Sequence, residues 1–341
     1  MSKKKVLVTG GLGYIGSHTV VSLQQAGYEV FIVDDCSNSS ADVVEGIEEI
    51  TGVRPHFTQL DLRDRQATQN YFQTHSDLDG IIHFAASKAV GESVEDPLKY
   101  YENNLGGLIY ALQACVKHNI DHFIFSSSCT VYGEPDKLPI DETAPVKPAA
   151  SPYGNTKQVG EEIILDSCKA YDLKAISLRY FNPIGAHDSA RIGELPLGVP
   201  QNLVPFITQS AVGLRGKLKV FGNDYPTPDG SCIRDYIHVV DLAEAHVVAL
   251  GRLFEQRNES NFEVFNVGTG TGSSVFEIIK TFEQVSGKPL PHEVTERRSG
   301  DVIAVYADTK RANEVLGWKA RLSNEEALAS AWKWEQYIRS K

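Results

Sequence analysis

A chain of 341 residues is longer than one compact core usually holds, so two lobes or one elaborated α/β domain are expected. With 42% hydrophobic and 23% charged residues it reads as an ordinary globular protein, neither disordered nor fibrous. A net charge of -11 argues against nucleic acid as the main ligand, while leaving room for a locally basic pocket that takes a phosphate-bearing one.

The chain begins with Lys3-Lys4-Lys5, but only Val6-Leu7-Val8 follows before glycines begin, too short for a leader. Val6 to Thr9 reads as a strand, Gly10 to Gly16 as a glycine turn and Ser17 to Ala26 as a helix closed by Gly27. Glu29 to Val33 reads as the next buried strand, ending in Asp34-Asp35, so strand, glycine turn, helix, strand and acid form one βαβ unit. The alternation continues with strand texture at 80–85, a helix over 101–117, a strand over 122–126, a helix from about Tyr153 and a strand over 175–179. This predicts a doubly wound, Rossmann-type parallel sheet. From Phe181 to Gly230 glycine and proline are frequent, which suggests a smaller, loop-rich α/β lobe. Helix texture returns over 237–252 and strand texture over 262–267. The expected division is therefore 1–180 plus about 237–268 for the nucleotide lobe, with about 181–236 and 269–341 for the substrate lobe. No run approaches a membrane span, and a soluble, cytoplasmic protein is expected.

Five scattered cysteines, Cys36, Cys115, Cys129, Cys168 and Cys232, include no CxxC pair and read as reduced thiols. His118 and His122 straddle a helix-to-strand junction and read as surface imidazoles, and His238 as a packed strand end, so no metal is expected.

Gly10, Gly13 and Gly16 form GxxGxxG, a variant of the dinucleotide-binding turn. The first glycine permits the tight turn, the others let backbone approach a pyrophosphate and the helix pack on the strand, and the helix N-terminus favours the phosphate charge. Asp34 is the expected acceptor for ribose hydroxyls, and its carboxylate would repel a 2′-phosphate, which favours NAD over NADP. In Ser151-Pro152-Tyr153-Gly154-Asn155-Thr156-Lys157, the proline suits a first helical turn. Tyr153 and Lys157 then share one helix face. A nearby cation favours the phenolate of a tyrosine whose ordinary pKa is about 10, making it a usable base. Alone, such a pair is more often the decoration of a solvated helix, and Ser126-Ser127-Ser128 after a strand is more often turn chemistry.

Together the glycine turn, Ser128 and Tyr153-xxx-Lys157 resemble the extended short-chain dehydrogenase/reductase family. Longer segments are similar to its UDP-sugar epimerases: 83–93, 125–133, 178–183, 221–227, 234–239 and Arg297-Arg298-Ser299-Gly300-Asp301, in order along nearly the whole chain. The resemblance implies Tyr153 as acid/base, Ser128 as its hydrogen-bonding partner and Lys157 as anchor of the nicotinamide ribose. It implies cofactor contacts from Gly10, Gly13, Tyr14, Ile15, Gly16, Asp34, Asn38, Asp61, Leu62, Phe84, Ala85, Lys88, Asn103 and Phe181, beside the catalytic three. For the UDP-sugar it implies Lys88, Ser128, Tyr153, Asn182, Asn202, Leu203, Phe221, Arg234, Arg298, Asp301 and Val305. The two arginines suit a diphosphate because guanidinium donors grip phosphate oxygens as a fork. The implied reaction is reversible inversion at C4 of UDP-glucose and UDP-galactose through a 4-keto sugar, with NAD regenerated each turnover, in a homodimer to which a helix spanning the Ile109–Val116 stripe contributes. Where some members place a tyrosine beside the sugar's C2 substituent, Val305 leaves room for an N-acetyl group. Read individually, Asp61 or Asn103 could be caps, Arg234 or Arg298 surface ion pairs and Val305 ordinary core. Sugar-nucleotide dehydratases require an acid pair just after the hydroxyl residue, where this chain has Cys129 and Thr130. A UDP-sugar dehydrogenase or a non-catalytic NAD-binding regulator remain the alternatives.

Overall fold

The computed structural model describes residues 3–298 and 301–340, so Ser299 and Gly300 of the arginine motif lie outside the described residues. In chain order the first half runs β1 (Lys5–Thr9), α1 (Tyr14–Gln25), β2 (Glu29–Asp34), α2 (Val43–Thr51), β3 (His56–Gln59), α3 (Arg65–Thr74) and β4 (Gly80–His83). It continues with α4 (Val90–Glu95), α5 (Pro97–His118), β5 (His122–Ser126), a 3-10 turn at Cys129–Tyr132, α6 (Pro152–Ala170) and β6 (Lys174–Tyr180). The second half comprises β7 (Asn182–Ile184), α7 (Leu203–Ala211), β8 (Leu218–Phe221), β9 (Ile233–His238), α8 (Val239–Phe254) and β10 (Phe262–Val267). It ends with β11 (Gly272–Ser274), α9 (Val275–Ser286), β12 (His292–Thr295), β13 (Ala304–Val305), a π-helical turn at Ala312–Leu316 and α10 (Asn324–Ser340).

Seven parallel strands make one sheet in the order β3-β2-β1-β4-β5-β6-β10. This is the Rossmann order with a seventh strand supplied from late in the chain, and the order reverses between β1 and β4, where a crevice opens at the carboxyl ends. Apart from the exposed edge strand β3, its strands are rich in Val, Ile and Phe because both faces are covered. Alternation sends Val6, Val8, Ile32, Ile82, Ile124, Ile176 and Phe265 to one face, packed with side chains of α1, α8 and the 312–318 segment. Leu7, Phe31, Val33, Ile81, Phe123 and Phe125 go to the other, under α3, α5 and α6. Each fully buried aliphatic side chain contributes about 1.5–3 kcal/mol to holding the layers together.

The smaller lobe is built around β9, which pairs with β7, β11 and β13, with β8 and β12 as a separate parallel pair. Its own core gathers Val204, Ile207, Phe282, Leu328 and Trp332 from α7, α9 and α10. A buried Arg252–Glu263 pair fastens α8 to β10. Within α5 the expected apolar stripe divides: Leu112 and Cys115 are buried, while Ile109 and Val116 reach the surface.

Candidate active site

The crevice begins at the glycine turn. Gly10 adopts φ +66° and donates its N–H to the Val33 carbonyl at 2.8 Å, and a Cβ on it would meet Ala85 N at 2.8 Å. A Cβ on Gly16 would lie 2.2 Å from the Gly10 carbonyl oxygen. Gly13 occupies the N-cap of α1 and no side chain caps the helix there, so Tyr14, Ile15 and Gly16 form an open first turn. A cradle that admits only backbone, facing a bare helix N-terminus, fits the pyrophosphate of a dinucleotide. Asp34 ends β2 and accepts Leu12 N at 3.0 Å on one oxygen and Ser39 Oγ at 2.7 Å on the other, which aims the carboxylate along the turn. Asn38 is exposed in the loop beyond it. After β3, Asp61 is held bidentately by Arg63, and Leu62 is buried beneath α5. Phe84, Ala85 and Lys88 follow β4 on the opposite side of the turn, and Asn103 Nδ2 donates to Ser87 Oγ at 3.1 Å.

At the ends of β5 and β6 the reacting groups converge. Pro152 opens α6 and Ser151 Oγ caps it by accepting Gly154 N at 3.1 Å, which fixes the first turn and so the direction of Tyr153. Lys157, one turn on, donates from Nζ to the Ser126 carbonyl at 2.8 Å and lies 5.8 Å from the Tyr153 ring centroid. Ser128 caps the 3-10 turn, its Oγ accepting Thr130 N at 3.2 Å, and it acts on the Tyr153 phenol to lower its pKa. Below them Glu161, one further turn along α6, accepts from Ser127 Oγ at 2.6 Å and Ser177 Oγ at 2.8 Å, and pairs with Arg179 at 2.5 Å. Arg179 also lies over the Tyr132 ring at 4.8 Å. Tyr132 in turn donates to Asn266 of β10 at 2.7 Å.

The electrostatics differ from the expectation drawn from the i,i+4 spacing. Burial pushes the Tyr153 phenol well above its ordinary range, Tyr180 adds to this, and the Ser128 hydrogen bond pulls the other way. Lys157 is itself pushed down to about 8 by burial, with Glu161 opposing. Burial is the largest influence on the phenol and acts against its charged form. A positive charge brought against the ring would favour the phenolate.

The remaining residues form two groups across the crevice. β9 brings Arg234 opposite Val305 of β13, and Tyr236 opposite Asn182 of β7. Asp301 Oδ1 lies 2.7 Å from Arg298 and 3.7 Å from Arg234, and Arg298 lies over Phe221 at 5.2 Å. Arg234 also acts on Cys129, beside Ser128, which joins this group to the catalytic one. Val305 is buried with Phe181, Val131 and Tyr132, while the Tyr306 ring turns towards Gly272. The second group is Asn202, at the N-cap of α7 next to Leu203, whose amide meets Glu194. Glu194 and Glu161 lie outside every segment quoted above, and Arg179 falls within 178–183 without a role assigned to it there. Their only signal is charge inside otherwise apolar or loop segments.

A family model described as GDP-mannose 4,6 dehydratase matches residues 7–331. With the sheet order and the Ser128, Tyr153 and Lys157 cluster, that match makes this a member of the extended short-chain dehydrogenase/reductase class. The UDP-glucose 4-epimerase of Bacillus subtilis (strain 168) is 49% identical over 331 residues, covering 97% of this chain and 96% of that one. The crystal structure of UDP-glucose-4-epimerase from Stenotrophomonas maltophila with bound NAD and formylated UDP-arabinopyranose is 48% identical with a TM-score of 0.95, covering 99% of each chain. That from Bifidobacterium longum in complex with NAD+ and UDP is 44% identical with a TM-score of 0.93, covering 98% of this chain and 99% of that one. The chain belongs to the UDP-glucose 4-epimerase family.

Proposed function

We propose that this chain reversibly inverts C4 of the hexose in UDP-glucose and UDP-galactose, with NAD held on the glycine turn. The observation that carries the reading is the meeting of Ser128, Tyr153 and Lys157 at the carboxyl edge of the sheet, beside that turn and opposite two arginines. NAD, when bound, supplies a reversible hydride acceptor for C4, with a 4-keto sugar between the two transfers.

Gly10, Gly13, Tyr14, Ile15 and Gly16 cradle the pyrophosphate, and Asp34 takes the ribose hydroxyls. Asn38, Asp61, Leu62, Phe84, Ala85, Asn103 and Phe181 line the rest of the cofactor's course, and Lys157 anchors the nicotinamide ribose. Tyr153 removes the 4-hydroxyl proton and later returns one to the same oxygen, which Ser128 also holds. Burial pushes the phenol's pKa up, which makes its phenolate, once formed, a stronger base for the 4-hydroxyl proton. Removal of the proton needs the cationic form of Lys157 together with the positive charge of the oxidised nicotinamide ring. Arg234 and Arg298 take the diphosphate, while Lys88, Asn182, Asn202, Leu203, Phe221 and Asp301 hold the rest of the nucleotide sugar. Remote binding on the nucleotide leaves the pyranose free to turn over. Cys129 and Thr130 stand where a dehydratase needs acids, so the reaction ends at the returned hydride.

The reading extends to UDP-N-acetylglucosamine and its galactosamine epimer, because Val305 is small and Tyr306 is turned away. A homodimer formed through α5 is supported by its exposed Leu98, Ile109 and Val116. The protein acts in the cytoplasm, without nucleic acid or membrane as a partner; among the described residues no helix is long and apolar enough to cross a membrane. The two lobes comprise 1–180 with about 237–268, and about 181–236 with 269–341. Incubation with UDP-galactose and no added NAD, with product separation and absorbance recorded for NADH, tests the reading. UDP-glucose without accumulating NADH is expected. Stoichiometric NADH would point to a dehydrogenase, and an inactive protein with tightly held NAD to a regulator.

A further inference from the structure

We infer that Glu194 is a positioning residue that clamps the two lobes across the crevice and thereby sets the affinity for the nucleotide sugar. The inference rests on the function proposed above and concerns a residue outside every motif quoted for it. One carboxylate oxygen of Glu194 accepts both Lys88 Nζ at 3.2 Å and Asn202 Nδ2 at 2.7 Å. Lys88 belongs to the loop after β4 and lies 5.8 Å from the ring centroid of Tyr14, in the open first turn of α1. Asn202 opens α7 in the smaller lobe. A single oxygen therefore connects the dinucleotide turn to the substrate lobe.

Three further observations make this a built contact. Asn202 sits at the N-cap of α7 without a side-chain cap hydrogen bond, and its Nδ2 donates to Glu194. The Glu194 side chain is only 10% exposed while Lys88 is 47% exposed, so the contact is shielded from water at its carboxylate end. Its backbone is fixed as well: Trp334 Nε1 donates to the Glu194 carbonyl at 2.9 Å, and the indole sits so close to Gly193 that a Cβ there would come within 2.5 Å of it. The contact also leaves capacity for a ligand. Lysine carries three ammonium protons and the asparagine amide two, so each donor keeps protons free for phosphate or hydroxyl oxygens while Glu194 holds its direction. Lys88 offsets the carboxylate charge, which removes the repulsion a diphosphate would otherwise meet.

The test compares E194A, E194Q, N202A and the E194A/N202A double variant by calorimetry with UDP-glucose and by steady-state turnover of UDP-galactose. E194A is expected to weaken UDP-glucose binding and raise KM about tenfold, the scale of losing a charged hydrogen bond, with kcat little changed. E194Q, which keeps an acceptor oxygen at the same reach, recovers most of the loss. The double variant is expected to lose less than the sum of the two single losses, since both remove the shared Glu194–Asn202 contact. Unchanged affinity in E194A, additive losses in the double variant, or a fall in kcat and melting midpoint without a change in KM would overturn the inference. If the parent protein binds UDP-glucose but turns nothing over, the affinities still decide the clamp, and only the functional reading fails.

Discussion

Ionic groups are managed differently on the two sides of the crevice. Beneath Tyr153 and Lys157, Arg179 and Glu161 expose 8% and 9% of their side chains, and both oxygens of the carboxylate are engaged. In the smaller lobe Arg298 exposes 56% of its side chain and rests on the half-open ring of Phe221. A group that moves a proton has to be within a few tenths of an ångström of its partner, and enclosed, fully bonded neighbours supply that precision. A group that grips a diphosphate while the attached sugar turns over gains nothing from such enclosure. The long, hydrated Arg298 side chain can follow the ligand, while Arg234, 18% exposed, is held closer. The comparison assigns rigidity to the chemistry and compliance to the grip.

Removing only the phenolic oxygen tests the rigid side most severely. Tyr153→Phe keeps the ring in place and is expected to lower kcat by roughly 10²–10⁴-fold, read by UDP-galactose turnover, with an unaltered circular dichroism spectrum. If activity survives, the enclosed cluster is not where the proton moves. Next in size is Arg179→Ala, which strands Glu161 in a buried site. It is expected to cost about 3–5 kcal/mol of unfolding free energy in a denaturant titration. Replacing both partners by apolar residues of similar volume should recover much of that loss, which separates an unpaired charge from lost packing. Arg298→Ala should have the smallest effect: KM raised about threefold to tenfold, less in added salt, with stability within about 0.5 kcal/mol of the parent. A large stability loss there would show that the grip is part of the scaffold after all.

Much of the sheet is readable in the sequence because its strands are buried on both faces and stand out as apolar runs; β5 and β10 run as the residues suggest. The exposed edge strand β3 has no such run and leaves no trace. Helix α1 starts at Tyr14, three residues before its expected beginning, because Gly13 itself serves as N-cap and the turn's last residues are already helical. Spacing along one helix brings Tyr153 and Lys157 together, since i,i+4 neighbours need no tertiary information. What the spacing does not carry is the depth of burial, which pushes the phenol's pKa up. Glu194 escapes notice for a further reason. Its partner Lys88 is 106 residues away in sequence, and no periodicity marks a loop acid as a bridge. Residues 312–318 likewise pack on the first sheet from a position late in the chain.

The indole that supports Glu194 makes the molecule readable by light. All three tryptophans fall within Trp318 to Trp334, yet they sample three places: Trp318 the core of the parallel sheet, Trp332 the core of the smaller lobe and Trp334 the crevice clamp. A single fluorophore left at each position in turn would report separately on the scaffold, the gripping lobe and the joint between them, with no label attached.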